Sequence, residues 1–210
     1  MNIVDPSKAR IYHITDVSNL EAIFAEGALI SDALARNRAT ATTVIGYAHI
    51  KDRRLTQYRI ACCGNRFVGE FVPFYFCPRS PMLYTINNGN TGRQPGCQAT
   101  IVHLVSSVQN GYDLRQPWAI SDGNAGAPYT TFANDAQALD RVNWEVVESN
   151  DWKGPRLNTK MTEFLVADRF PVSALIGIGC ENADTAEMAS RIVAQYFPDL
   201  PVKVIKKWYY

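Results

Sequence analysis

Residues 158–171 read NTKMTEFLVADRFP. Phe164, Leu165 and Val166, with Met161 before them, are apolar and suit a buried β-strand. Glu163 does not. Glutamate is depleted in strands, and a buried carboxylate is costly unless it is paired or hydrogen-bonded. The residue therefore either lies on a solvated face or points into a cleft that requires a carboxylate. On a firm strand at the end of a polar loop, it can hydrogen-bond a sugar hydroxyl and stabilise positive charge developing on a sugar ring. From the pattern alone, a structural or exposed role is the preferred reading over that site role.

Working outward, SNDWKGPRLNTK (149–160) is polar and reads as a mobile loop leading into the strand. VSALIGIGC (172–180) is a further strand. Asp184 and Glu187 stand at capping-box spacing ahead of a helix to about residue 197, and PVKVIKKWYY (201–210) closes the chain as a strand. Towards the N-terminus, RIYHIT (10–15) is a first strand. Ser18 and Glu21 have capping-box spacing, Leu20, Ile23 and Phe24 follow at helical spacing, and Gly27 is a stop signal. Residues 31–43 read as a loop, and VIGYAHIKDRRL (44–55) as a helix with a basic last turn. FVPFYFCP (71–78) is an aromatic strand that Pro73 assigns to a sheet edge or a strand start. Ser80 and Pro81 read as N-cap and first helical position. NNGNTGRQPGCQ and SDGNAGAP (121–128) are loops, ATIVHLVSS (99–107) is a core strand, and DAQALDRVNW (135–144) a helix. Strands and helices do not alternate regularly, which predicts an α+β fold. No linker divides the chain, so residues 1–210 are read as one domain.

The chain has 210 residues, 47% hydrophobic and 20% charged, which are globular values. It holds no run of about eighteen apolar residues, so no membrane span is expected. MNIVDPSKARIYHIT lacks a signal-peptide core, so a cytoplasmic location is expected. Cys62, Cys63, Cys77, Cys97 and Cys180 form no C-x-x-C, and His13, His49 and His103 are scattered. Reduced thiols and no metal site are expected.

The net charge of +1 excludes a whole-surface electrostatic footprint for nucleic acid. Local patches remain at Lys51, Arg53 and Arg54, at Lys153, Arg156 and Lys160 beside Trp152, and at Lys206 and Lys207 before Trp208. Basic and aromatic residues together are what single-stranded nucleic acid requires, because bases stack and phosphates pair. Solvated surface charge is the competing reading for each patch. There is no G-x-G-x-x-G after a strand, no P-loop and no G-x-S-x-G, so ordinary dehydrogenase, kinase and hydrolase readings lose their usual support. The remaining chemical candidates are Glu163, His13 and the Lys51–Arg54 cluster.

IYHIT (11–15), AHIKDRRL (48–55), FVPFYFCPRSPMLY (71–84), IVHLVSS (101–107), TEFLV (162–166) and KKWYY (206–210) together resemble the DarT toxins. These are bacterial DNA ADP-ribosyltransferases of DarT–DarG toxin–antitoxin systems. The likeness runs over about residues 9–210 and is weakest between about 110 and 160. It implies an ADP-ribosyltransferase fold, a split β core with surrounding helices and an NAD cleft. It also implies transfer of ADP-ribose from NAD, as co-substrate, to a base in single-stranded DNA, with release of nicotinamide. By resemblance, Glu163 matches the catalytic glutamate, binding the nicotinamide ribose. Arg54 matches a functional arginine near the NAD phosphates and the target base. His13, Ile14 and Thr15 match an NAD-holding first strand, with Asn19 nearby. Residues 149–160 correspond to a substrate-recognition loop, in which Trp152, Lys153 and Arg156 suit contact with DNA. The implied partner is a DarG-type antitoxin with an ADP-ribosyl-hydrolysing macrodomain.

The family has thymine- and guanine-modifying branches, and the FVPFYFCPRSPMLY and WYY segments resemble the thymine branch. An RNA-directed NAD-using relative and a non-catalytic nucleotide-binding module of the same fold are alternatives. A protein-modifying transferase of the Q/E-x-E type is disfavoured, because Met161 stands at the first position of that motif.

Overall fold

The computed structural model describes residues 4–37, 43 and 45–210. β1 (Arg10–Asp16) runs into a 3-10 turn over Val17–Asn19 and then α1 (Leu20–Glu26). The expected Ser18–Glu21 box does not form. Asp16, two residues earlier, caps the 3-10 turn by accepting from the Ser18 N–H, and Ser18 turns its own hydroxyl to the same carboxylate. Gly27 does end the helix, in the left-handed region at φ 72°. After β2 (Ala28–Ile30), part of the expected 31–43 loop is helical instead. In α2 (Asp32–Asn37), the Ser31 hydroxyl accepts from the Leu34 N–H. Residues 38–42 lie outside the described residues. α3 (Ala48–Thr56) begins later than the spacing predicted and carries Arg53 and Arg54 in its last turn.

β3 (Arg59–Ile60) and β4 (Arg66–Phe67) form a small hairpin before β5 (Phe71–Tyr75). α4 (Pro81–Asn87) is capped as the sequence predicts, Ser80 accepting from the Leu83 N–H. β6 (Ile101–Ser107) is buried at every position. α5 (Val108–Asp113), β7 (Trp118–Ser121) and β8 (Phe132–Ala133) follow, and the last two strands were not anticipated. The helix expected over 135–144 is a 3-10 turn (Ala138–Arg141) followed by α6 (Trp144–Glu148). The 149–160 segment ends in α7 (Arg156–Lys160) rather than in open loop. Lys160 explains this. Its side chain is buried, and its ammonium donates to the carbonyls of Val147 and Ser149, fastening α7 onto the end of α6.

β9 (Glu163–Ala167), β10 (Arg169–Pro171) and β11 (Gly177–Cys180) are followed by α8 (Ala183–Val193). The α8 cap is Asn182, which accepts from the Thr185 N–H, and not Asp184. β12 (Val202–Val204) is shorter than the strand expected at the C-terminus. Beyond it Tyr209 is buried, its hydroxyl among Ile101 O, Gly179 O and His103 Nδ1. Gly179 makes room for this: a Cβ there would lie 2.2 Å from the Trp208 ring.

The main sheet has the order β12-β11-β6-β1-β5-β9-β7-β8, antiparallel except between β11 and β12. β1 pairs with β6 along its whole length, but meets β5 only at Tyr12↔Tyr75. The sheet therefore splits at its centre. Pro73 lies in this central strand, not at an edge. Its carbonyl faces β1 and accepts from His13 Nδ1 at 2.8 Å, so its missing N–H falls where the ladder is already open.

β9 is apolar on both faces because both are covered. Phe164 and Val166 pack with Phe74 and Phe170, while Leu165 and Ala167 pack with Ile60, Val68 and Ala125. Each large side chain so buried contributes roughly 1.5–3 kcal/mol. Glu163 is the first residue of this strand, on the Leu165 side, where the apolar cover gives way to the split. Among the described residues, no helix is long and apolar enough to cross a membrane.

Candidate active site

A cavity of about 510 Å³ opens at the split. β1 lines it with His13, Ile14 and Thr15, and α1 and its cap supply Asn19, Ala22 and Ile23. The approach to α3 and that helix add Tyr47, Ile50, Lys51 and Arg54, and Pro73 and Tyr75 come from β5. Asn124, Met161 and Glu163 close the far side. A concave, mostly apolar cavity of this size with a few convergent polar groups is the usual form of a small-molecule site.

Glu163 is 1% exposed, and its carboxylate is fully partnered on one side. Oε1 accepts from Arg54 Nη1 at 3.1 Å and from the Ala125 N–H at 3.0 Å. Oε2 accepts from Arg54 Nη2 at 2.9 Å. A carboxylate offers about four acceptor positions, so one remains, on Oε2. Burial alone would lower the Arg54 guanidinium, but the Glu163 charge and its hydrogen bonds outweigh burial and hold it above its ordinary value. Tyr75 faces Glu163 across the β5–β9 pairing. Burial, then the Glu163 charge, push its phenol upward against the opposing effect of Arg54, so it stays protonated.

His13 donates from Nδ1 to the Pro73 carbonyl, since a carbonyl can only accept. Burial pushes its pKa below the ordinary histidine value, so the ring is neutral at pH 7 and Nε2 is left as an acceptor. Asn19 is a clamp. Its Nδ2 donates to Thr15 Oγ1 at 3.0 Å and to the Thr43 carbonyl at 2.9 Å, while Oδ1 accepts from the Thr43 N–H at 2.7 Å.

The structure thus gathers Glu163, Arg54, His13, Ile14, Thr15 and Asn19 around one cavity. Trp152, Lys153 and Arg156 are not among its lining residues. Trp152 sits edge-on to Tyr84 and Tyr210, Arg156 pairs with Glu145 at 2.6 Å, and Lys153 is exposed. The Lys51–Arg54 cluster is not a shared phosphate patch. Lys51 pairs with Asp32, Arg53 with Tyr58 and Gln57, and Arg54 with Glu163. Sequence reasoning missed Tyr75 and the 121–126 loop. Tyr75 is brought in by register alone, and the loop acts through backbone N–H groups that leave no signature in side-chain type. The five cysteines are free thiols, and among the described residues no group of three or more His, Cys, Asp or Glu could hold a metal ion.

Residues 12–210 match the family model described as DarT, ssDNA thymidine ADP-ribosyltransferase. A DNA ADP-ribosyl transferase of Thermus aquaticus is 36% identical over 208 residues, covering 98% of this chain and 90% of the relative. The structure of Thermus sp. 2.9 DarT in complex with ADP-ribosylated ssDNA matches with a TM-score of 0.89 at 33% identity, covering 100% of both chains. The same DarT in complex with NAD+ matches at 0.85 and 30% identity, covering 99% of this chain and 100% of that one. The split sheet is therefore that of an α+β ADP-ribosyltransferase. Within that class, the chain belongs to the DarT family.

Proposed function

We propose that this protein transfers ADP-ribose from NAD to a thymine base of single-stranded DNA, with release of nicotinamide. The observation that carries the assignment of roles is the buried Arg54–Glu163 pair on a cavity lined by His13, Thr15 and Asn19. The glycosidic bond between the nicotinamide nitrogen and the ribose C1′ breaks, and its electron pair leaves with nicotinamide. Glu163 accepts a ribose hydroxyl at its open Oε2 position and stabilises the oxocarbenium-like charge. A thymine ring nitrogen then attacks C1′ and gives up its proton to solvent water. Arg54 is always protonated, so it serves not as a base but as fixed positive charge beside the deprotonating ring and the NAD phosphates. The His13 Nε2 acceptor suits a hydroxyl or amide N–H of the dinucleotide.

Residues 1–210 act in this scheme as one ADP-ribosyltransferase domain in the cytoplasm of a bacterial host. Trp152, Lys153 and Arg156 contact the DNA from the 149–160 segment. Their place outside the cavity fits a strand that approaches the site from beyond it. The partner that keeps such an enzyme harmless is a DarG-type antitoxin whose macrodomain removes ADP-ribose from DNA.

The test is a mass measurement on single-stranded DNA and RNA oligonucleotides incubated with the protein and NAD. One ADP-ribose added to thymine-containing DNA is expected. Addition only where guanine is present would move the acceptor, and addition only to RNA would overturn the DNA assignment.

A further inference from the structure

The loop between β7 and β8 touches Glu163, the Arg54 stem and the cavity. Ser121 Oγ accepts from the Glu163 N–H at 2.9 Å and donates to the Gly123 carbonyl at 2.6 Å. Two residues on, the Ala125 N–H holds Glu163 Oε1. Gly126 lies against the Arg54 stem, where a Cβ would be 3.7 Å from Arg54 Cγ, and its N–H is held by Asn124 Oδ1 at 2.8 Å. Asn124 itself lines the cavity.

A further partner outside the loop holds its middle. Asn158, on α7, accepts the Asn124 N–H at Oδ1, 3.2 Å away. The contact is close enough that a Cβ on Gly123 would sit 2.0 Å from Asn158 Nδ2, so only glycine leaves the amide in place. We propose that Asn158 is a positioning residue for Glu163, acting through the 121–126 loop. With Asn158 in place, the Asn124 N–H is satisfied, and the next N–H, that of Ala125, is aimed at the carboxylate. Without it, a part-buried donor loses its acceptor, the loop relaxes, and the Glu163 carboxylate loses one of its three hydrogen bonds. Asn158 thereby ties the 149–160 segment, where the proposed DNA contacts lie, to the reacting centre. The inference rests on the role given above to Glu163.

Two variants approach the contact from opposite sides. Asn158→Leu removes the acceptor at similar volume. Gly123→Ala leaves Asn158 chemically intact and pushes its amide away. The first readout, amide hydrogen exchange of Ala125 followed by NMR, needs no turnover. The second is nicotinamide release, resolved into kcat and KM for NAD. In both variants the Ala125 amide exchanges at least about tenfold faster, while Leu165 and Val166 in β9 stay protected. Also in both, kcat falls at least about tenfold while KM for NAD stays within about twofold. The double variant is no worse than the worse single one, because both act on one contact. Asn158→Asp, which keeps the Oδ1 acceptor, restores Ala125 protection.

Unchanged Ala125 exchange in both single variants would overturn the proposal. So would faster exchange across all of β9, which marks general loosening, or a KM that rises in step with the fall in kcat. Wild-type nicotinamide release, measured alongside, bears on the catalytic reading separately. Should the wild type release none, that reading fails, and the Ala125 exchange still decides whether Asn158 holds the carboxylate.

Discussion

Arg54 and Glu163 form a two-pronged buried pair, with distances of 3.1 and 2.9 Å and side chains 12% and 2% exposed. The pair joins the last turn of α3 to the first residue of β9 across the split in the sheet. Arg54→Ala leaves a buried carboxylate without its counter-charge and should destabilise the protein by about 3–5 kcal/mol. Arg54→Lys cannot reproduce the fork and should lose transfer at least about a hundredfold. Denaturant unfolding and initial transfer rates check both. An Arg54→Lys protein with near wild-type stability and rate would show that the fork is dispensable.

Asn19 holds the Thr43 backbone by two hydrogen bonds and Thr15 by a third. At about 1 kcal/mol for each net hydrogen bond, Asn19→Ala should raise KM for NAD roughly tenfold or more. It should leave kcat much less affected, because the clamp shapes the binding wall and does not touch the carboxylate. Steady-state kinetics with varied NAD distinguish this from a fall in kcat alone.

Arg156 reaches Glu145 and the Asp151 carbonyl at the surface, away from the cavity. Arg156→Ala is expected to raise KM for the DNA strand several-fold and to leave KM for NAD unchanged. Equal changes in both constants would remove Arg156 from the DNA contact and make it a support of the fold.

His103 is fully buried, with Nε2 bonded to the Pro78 carbonyl, and burial lowers its pKa to about 4. In the unfolded chain it titrates near its ordinary value of about 6.5. Between these values the unfolded state binds the extra proton and the folded state does not. Stability is therefore full above about pH 6.5 and falls as pH drops towards 4, by on the order of 3 kcal/mol from this group. His13, also lowered by burial, acts in the same direction. Thermal unfolding at a series of pH values should show the loss, and His103→Gln should flatten that part of the slope. An unchanged slope would place the acid sensitivity elsewhere.

Local chemistry made much of this fold legible. The Ser80–Pro81 helix start, the Gly27 stop and the β1, β6 and β9 strands follow from capping, conformational freedom and apolar runs within a few residues. Errors arose where tertiary contact overrides the local signal. Pro73 fits a central strand only because the neighbouring ladder is open, which the one-pair contact of β1 with β5 reveals. α7 exists because Lys160 is buried against carbonyls, a fate that a polar stretch does not announce. Glu163 stood out in the sequence because a charge in an apolar strand is a conflict that demands a partner. Its partner, Arg54, stands 109 residues away, and only the resemblance to DarT toxins linked the two before the fold did.

In the proposed reaction, Glu163, held by Arg54, drives transfer from NAD to DNA. Glu163→Gln tests it most directly, because it keeps the shape and one acceptor oxygen while removing the charge. Nicotinamide release and the mass of a thymine-containing single-stranded oligonucleotide would be followed together, for wild type and variant at equal folded concentration. Release and one added ADP-ribose are expected with the wild type, and loss of both with Glu163→Gln. Modification of the oligonucleotide by Glu163→Gln at close to the wild-type rate would contradict it.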